Sequence, residues 1–290
     1  MDFFAILIAL VCLGGLTFAL SSVLIMAFRK LHVAEDPRID VVESLLPHAN
    51  CGACGFPGCR PFAEALVKNE TQPATCSVSP PSGHAAIAAY LGVSVGVSEK
   101  RVARLACAGG SNVARNRARY TGHPSCRAAA LVAGGPKGCS WGCIGLGDCV
   151  AVCDFDALDL NEHDLPVVNE ANCTACGDCV EICPKDLFSI HPVSHRLWVA
   201  CRSLEHGDRV LEHCEVGCNG CSKCAIDAPA QLTMQHNLPV IDYARRPAPR
   251  AAIDRCPTGA IVWFDEHAGI VTGLAAQKPH RHDVRPAEFT

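Results

Sequence analysis

The sequence predicts an α+β chain of three kinds of part: one N-terminal transmembrane helix, a small cysteine-rich domain, and then tandem modules of short strands and helices organised around cysteines. Three observations predict it. Residues Phe3 to Phe28 form one apolar run without a charge. At about 1.5 Å per residue, such a run crosses a hydrocarbon core of roughly 30 Å. The 290 residues include 21 Cys, while aromatic residues make up only 6%, so large apolar side chains are too few to hold several small domains together unaided. Finally, the cysteines follow an ordered spacing, and that spacing recurs along the chain.

The central stretch runs from Cys139 to Pro184. Its second half, Cys173-Thr-Ala-Cys176-Gly-Asp-Cys179-Val-Glu-Ile-Cys183-Pro184, has the spacing C-x2-C-x2-C-x3-C-P. That run holds a [4Fe–4S] cluster in bacterial ferredoxins, with the fourth Cys serving the neighbouring cluster. The first half, Cys139-x3-Cys143-x5-Cys149-x3-Cys153, is a variant in which Leu146 stands where the middle Cys would be. Cys139 is then the expected substitute. The expected pairing is Cys139, Cys143, Cys149 and Cys183 on one cluster, and Cys153, Cys173, Cys176 and Cys179 on the other. Secreted disulfide frameworks do not repeat this run, and zinc sites more often pair two separate C-x2-C knuckles.

Taken in order, residues 1–30 are the anchor. Arg29 and Lys30 follow the apolar run at once, which places the C-terminal side in the cytoplasm by the positive-inside tendency. Cys12 lies inside the span and is a plain apolar residue. Residues 31–82 carry Cys51-Gly-Ala-Cys54-Gly-Phe-Pro-Gly-Cys59 and then Cys76, four thiols for one cluster, with a short helix expected over Arg60–Lys68. Pro80 and Pro81 suggest a hinge at Ser77–Gly83, and a helix is expected over His84–Leu91.

Residues 83–192 form the two-cluster module, with Cys107 and Cys126 in no local motif. Residues 193–264 form a second, degenerate copy. Trp198-Val-Ala-Cys201 echoes Arg104-Leu-Ala-Cys107, and Cys214-x3-Cys218-x2-Cys221-x2-Cys224 echoes Cys139-x3-Cys143-x5-Cys149. Ala228 replaces the counterpart of Cys153, and Arg246, Pro249 and Ala252 stand where three further Cys would precede Cys256-Pro257. One cluster has therefore lost its ligands, while Cys218, Cys221, Cys224 and Cys256 remain as a full set. Cys107, Cys126, Cys201 and Cys214 are left over, enough for a fifth cluster where the repeats meet. The expected cofactors are thus at least three [4Fe–4S] clusters, rising to five. The cysteine-rich domain reads as an Fe–S domain and the modules as ferredoxin-like. Residues 265–290 are expected to be a flexible tail, and His191, His195, His206 and His213 to be surface residues. With a net charge of −4 nothing suggests nucleic acid, and the sequence contains no evident nucleotide loop or catalytic motif.

The order of parts resembles the B subunit of the Rnf ion-translocating electron transport complex, in its longer form with an additional ferredoxin-like repeat. The likeness rests on the single N-terminal span, then CGACGFPGC with Cys76, then GGPKGCSWGCIGLGDCVAVCDFDAL and CTACGDCVEICP. It implies an electron-carrying subunit of a complex that moves electrons between ferredoxin and NAD and couples this to Na⁺ or H⁺ translocation. It implies as partners the other Rnf subunits, which hold the flavin and NAD chemistry, soluble ferredoxin and the inner (cytoplasmic) membrane. Two other readings are an electron-transfer subunit of a membrane hydrogenase or formate dehydrogenase, and an Fe–S redox sensor.

Overall fold

A computed structural model describes residues 3–31, 36–245 and 249–276. Helix α1 (Phe3–Leu31) carries Arg29 and Lys30 in its last turn. Among the described residues it is the one helix long and apolar enough to cross a membrane, with a mean hydropathy of 2.2 over Leu10–Leu31. The Thr17 and Ser22 hydroxyls donate back to the Gly14 and Phe18 carbonyls, so neither polar group is left unpaired on an apolar surface.

The next unit is helical: α2 (Arg38–Ser44), α3 (Cys59–Val67), a 3₁₀ turn at Pro73–Thr75, and α4 (Pro81–Leu91). Ile39 and Val42 of α2, Phe62 and Leu66 of α3 and Ile87 of α4 share one buried core. Their spacing puts them on single helix faces, which is why the helices pack. Two expectations change here. Pro81 is the first residue of α4, where a missing N–H costs nothing. Because Ile87 is fully buried in the core of this unit, Pro80–Pro81 starts a packed helix and does not form a hinge. The Ala74 N–H donates to the Val95 carbonyl at 3.0 Å, so the unit extends well past residue 82.

The first module contains β1 (Arg101–Leu105), α5 (Cys126–Leu131), α6 (Asp148–Ala151), β2 (Leu158–Leu160), β3 (Pro166–Val168), α7 (Asp178–Ile182) and β4 (Phe188–Pro192). β1 pairs antiparallel with β4, Leu105 opposite Phe188, and β2 with β3, Leu158 opposite Val168. The second module contains β5 (Leu197–Val199), α8 (Asp208–His213), α9 (Lys223–Asp227), β6 (Leu232–Gln235), β7 (Leu238–Ile241), a 3₁₀ turn at Arg250–Ile253, β8 (Ile261–Asp265) and β9 (Gly269–Thr272). Its strands pair as β5-β8-β9 and β6-β7.

Two of the four positions where the second copy lacks an expected cysteine are packed among apolar side chains. Ala228 and Ala252 are 2% and 0% exposed and share a core with Leu232, Ile253 and Ile261. Arg246 lies outside the described residues. The tail expectation also changes: residues 269–272 form β9, paired with β8 so that Phe264 faces Ile270, and residues 277–290 lie outside the described residues.

The modules meet through main-chain and aromatic contacts. The Trp198 indole N–H donates to the Leu105 carbonyl at 2.9 Å, the Ala108 N–H to Ala200 at 3.0 Å and the Arg115 N–H to His213 at 2.9 Å. Arg104 lies 3.7 Å over the Phe264 ring. His191 and His195 belong to this junction and are half-buried in it, where open surface positions were expected. The His195 ring stacks on Tyr243 at 3.8 Å, and the His191 ring meets Trp198 edge-on at 4.8 Å.

Candidate metal-cluster sites

Twenty of the 21 cysteines gather into five groups of four. Cys51, Cys54, Cys59 and Cys76 line one cavity. Gly52 and Gly55 adopt φ of 70° and 88° there, a backbone that L side chains resist. Asn50 Oδ1 accepts the Cys59 N–H at 2.8 Å, tying the loop to the start of α3. Cys153, Cys173, Cys176 and Cys179 line a second cavity. Its loop turns at Gly177 (φ 101°), so that Cys179 enters α7. Cys218, Cys224 and Cys256 share a core, with Cys221 in electrostatic reach of Cys218 and Cys224.

The remaining eight thiols divide differently from the spacing argument. Cys126, Cys143, Cys149 and Cys183 line one cavity, while Cys107, Cys139, Cys201 and Cys214 line another. Cys126 and Cys139 thus exchange places relative to the sequence expectation. The physical reason lies in Asp148. Its carboxylate accepts the Ser125 hydroxyl at 2.8 Å, the Cys126 N–H at 2.9 Å and the Arg127 N–H at 3.2 Å. It caps α5 from outside, which Ser125 does not do itself, and so brings Cys126 beside Cys149. Burial works against the Asp148 charge, but these hydrogen bonds hold its carboxyl below the usual range. Leu146, at the missing ligand position, is 36% exposed.

The donor sets suit a polynuclear metal group. Burial pushes the thiols of Cys143, Cys149, Cys179, Cys201 and Cys214 up to about 12, and those of Cys218 and Cys224 to about 11. Such thiols stay protonated at neutral pH unless a bound cation draws the proton off. Among the described residues no three His, Cys, Asp or Glu side chains converge on a point for a single metal ion. In four of the groups the sulfurs line a cavity, an arrangement open to a polynuclear group. Main-chain N–H groups already point at several sulfurs: Ala103 at Cys173 and Ala157 at Cys153, both at 3.4 Å, and Cys218 at Cys201 at 3.3 Å.

The five groups are consecutive neighbours. The Ser77 hydroxyl donates to the Thr174 carbonyl at 2.7 Å, joining the first group to the second. Cys179 lies in electrostatic reach of Cys149, joining the second to the third. The Cys143 N–H donates to Cys107 Sγ at 3.5 Å, and the Cys218 N–H to Cys201 Sγ, completing the series.

Comparison with known proteins agrees with this chemistry. Residues 46–78 match the family described as "Putative Fe-S cluster", and residues 141–187 match the 4Fe-4S dicluster domain. The chain is 41% identical over 250 residues to the B subunit of the ion-translocating oxidoreductase complex of Methanosarcina acetivorans, covering 86% of this chain and 95% of the relative. It is 38% identical to the B subunit of the Na(+)-translocating ferredoxin:NAD(+) oxidoreductase complex of Acetobacterium woodii, covering 89% and 78%. It is 35% identical to the B subunit of the proton-translocating ferredoxin:NAD(+) oxidoreductase complex of Clostridium ljungdahlii, covering 93% and 94%. With identity of this order along most of its length, a long apolar helix at its N-terminus and 4Fe-4S domains behind it, the chain is membrane-associated and belongs to the family of Rnf complex B subunits.

Proposed function

We propose that this chain carries single electrons within a membrane-bound, ion-translocating ferredoxin:NAD oxidoreductase complex. The observation that carries the proposal is the uninterrupted adjacency of the cysteine groups from Cys76 to Cys218. A [4Fe–4S] cluster accepts and returns one electron, at a potential tuned by hydrogen bonds to sulfur, charge and exposure. The groups that would hold clusters are Cys51/Cys54/Cys59/Cys76, Cys153/Cys173/Cys176/Cys179, Cys126/Cys143/Cys149/Cys183 and Cys218/Cys221/Cys224/Cys256. Main-chain N–H groups reach several of these sulfurs, and most of the ligand thiols are at least half-buried. Nicotinamide and flavin chemistry falls to other subunits in this reading.

Two ends follow. The Cys51–Cys76 group is nearest α1 in sequence, and it would exchange electrons with membrane-embedded subunits. Cys221 is exposed, which makes the far group the docking end for soluble ferredoxin. Arg29 and Lys30 at the end of α1 favour the inner membrane with the cysteine domains in the cytoplasm.

The test is reduction of the anaerobically purified, iron-loaded chain by reduced ferredoxin, followed by visible bleaching and EPR. Bleaching of the iron–sulfur absorbance is expected. A chain that binds zinc in place of iron, or that ferredoxin leaves oxidised, would remove the proposal.

A further inference from the structure

We propose that Cys107, Cys139, Cys201 and Cys214 hold a further [4Fe–4S] cluster whose ligands are divided equally between the two modules. The inference rests on the electron-carrier reading for the nature of the group, and on separate geometry for its place. None of the four residues falls within the matched segments 46–78 and 141–187. All four are free thiols lining a single cavity.

The arrangement repeats itself across the two modules. Cys107 follows β1 as Cys201 follows β5, each two residues beyond the strand. Cys139 stands four residues before Cys143, as Cys214 stands four before Cys218. The Cys143 N–H donates to Cys107 Sγ at 3.5 Å, and its counterpart, the Cys218 N–H, donates to Cys201 Sγ at 3.3 Å. Each module therefore contributes one equivalent pair of thiols, and one thiol of each pair, Cys107 or Cys201, accepts the same main-chain bond. The pairs are held together by main chain: the Glu215 N–H donates to the Val113 carbonyl at 3.0 Å, and Ala114 bridges Cys214.

Two further residues fit a bound anionic group. A Cβ at Gly109 would stand 3.1 Å from Cys214 Sγ and 3.6 Å from Cys107 Sγ, so the glycine keeps open the space between sulfurs of different modules. Lys137 is 6% exposed in the cavity wall, where its Nζ donates to the Gly109 carbonyl. A cationic side chain in the cavity wall offsets part of the charge that bound thiolates would bring. The site also accounts for the exchange of Cys126 and Cys139. The second module has Cys221 where the first has Leu146. Cys126 makes up that missing ligand, and Cys139 is left to pair with Cys107 as Cys214 pairs with Cys201.

The test uses the full chain in detergent, reconstituted anaerobically with iron and sulfide and read by iron analysis and EPR. The native chain is expected to hold about 20 iron, four for each of five clusters. Cys107→Ala and Cys201→Ala are each expected to abolish the same EPR component, or convert it to a three-iron form. The double variant should lose no more than either single. Gly109→Val, which keeps every ligand, should lose that component too, while Cys126→Ala should alter a different one. A native content of about 16 iron, or single variants that alter different components, would overturn the shared site. If that occurs in a chain that ferredoxin still reduces, the electron-carrier reading survives. A chain loaded with zinc loses both.

Discussion

The Ser77 hydroxyl donates to the Thr174 carbonyl at 2.7 Å, joining loops 97 positions apart in sequence. Each residue directly follows a cysteine, Cys76 in one group and Cys173 in the next. The bond therefore fixes two sites against each other and does more than tie two surfaces together. Ser77→Ala should leave iron content unchanged and lower stability by about 1 kcal/mol, the usual net worth of such a bond. The readout is the denaturant midpoint for loss of the iron–sulfur absorbance. An unchanged midpoint would show that the two units do not depend on each other.

Ile87 tests where the N-terminal unit ends. It is fully buried against the helices that carry Cys59. Ile87→Ala should cost about 2–5 kcal/mol by cavity formation and release iron first from the Cys51–Cys76 group. If residues 81–91 were a free linker, the substitution would change nothing.

Asp148 tests how Cys126 is placed. Asp148→Ala removes an external cap worth about 1 kcal/mol and should selectively lower occupancy of the Cys126/Cys143/Cys149/Cys183 site. Its carboxyl is held below its ordinary value of about 3.9. The cap is therefore complete above that pH and is lost as pH falls through the lowered value. Asp148→Asn, which keeps the shape with a weaker acceptor, should retain more iron than Asp148→Ala.

His191 gives a pH dependence of known sign. Burial, then the charges of His195, Arg104 and Arg101, push its imidazole down to about 4. In the unfolded chain it titrates near 6.5, at about its ordinary value. Between these values the unfolded chain binds more protons, so stability falls as pH drops from about 6.5 to about 4. His191→Gln should flatten that slope relative to the native chain, measured by tryptophan fluorescence at matched iron content. Parallel slopes would place the acid sensitivity elsewhere.

The sequence made some of this legible and hid the rest, for reasons specific to each residue. Cys173, Cys176 and Cys179 could be read because the spacing of a tight loop is itself the geometry. So could Cys256, whose Pro257 repeats the Cys183–Pro184 pair. The destinations of Cys126 and Cys139 could not. Cys139 sits four residues from Cys143, yet lines a different cavity, and what draws Cys126 in is a carboxylate 22 positions away. One signal was available: the shared Cys-x3-Cys spacing at Cys139 and Cys214, which pairs those two residues with each other. The strand β9 did carry a signal, the β-branched run Ile270-Val271-Thr272, but it is short and stands beside the charged, His-rich stretch that marked the tail.

The matched bonds from Cys143 to Cys107 and from Cys218 to Cys201 bear on how such a chain can exist at all. Either module alone presents two thiols of a four-thiol site. Two separate molecules could complete it only by meeting, at a rate and extent set by their concentration. Linking them in one polypeptide makes the encounter intramolecular, with an effective concentration in the millimolar range, about that of short tethers. The copy number of the two halves is then fixed at one to one, and loading of the cluster proposed at the seam would not depend on how much protein the cell makes.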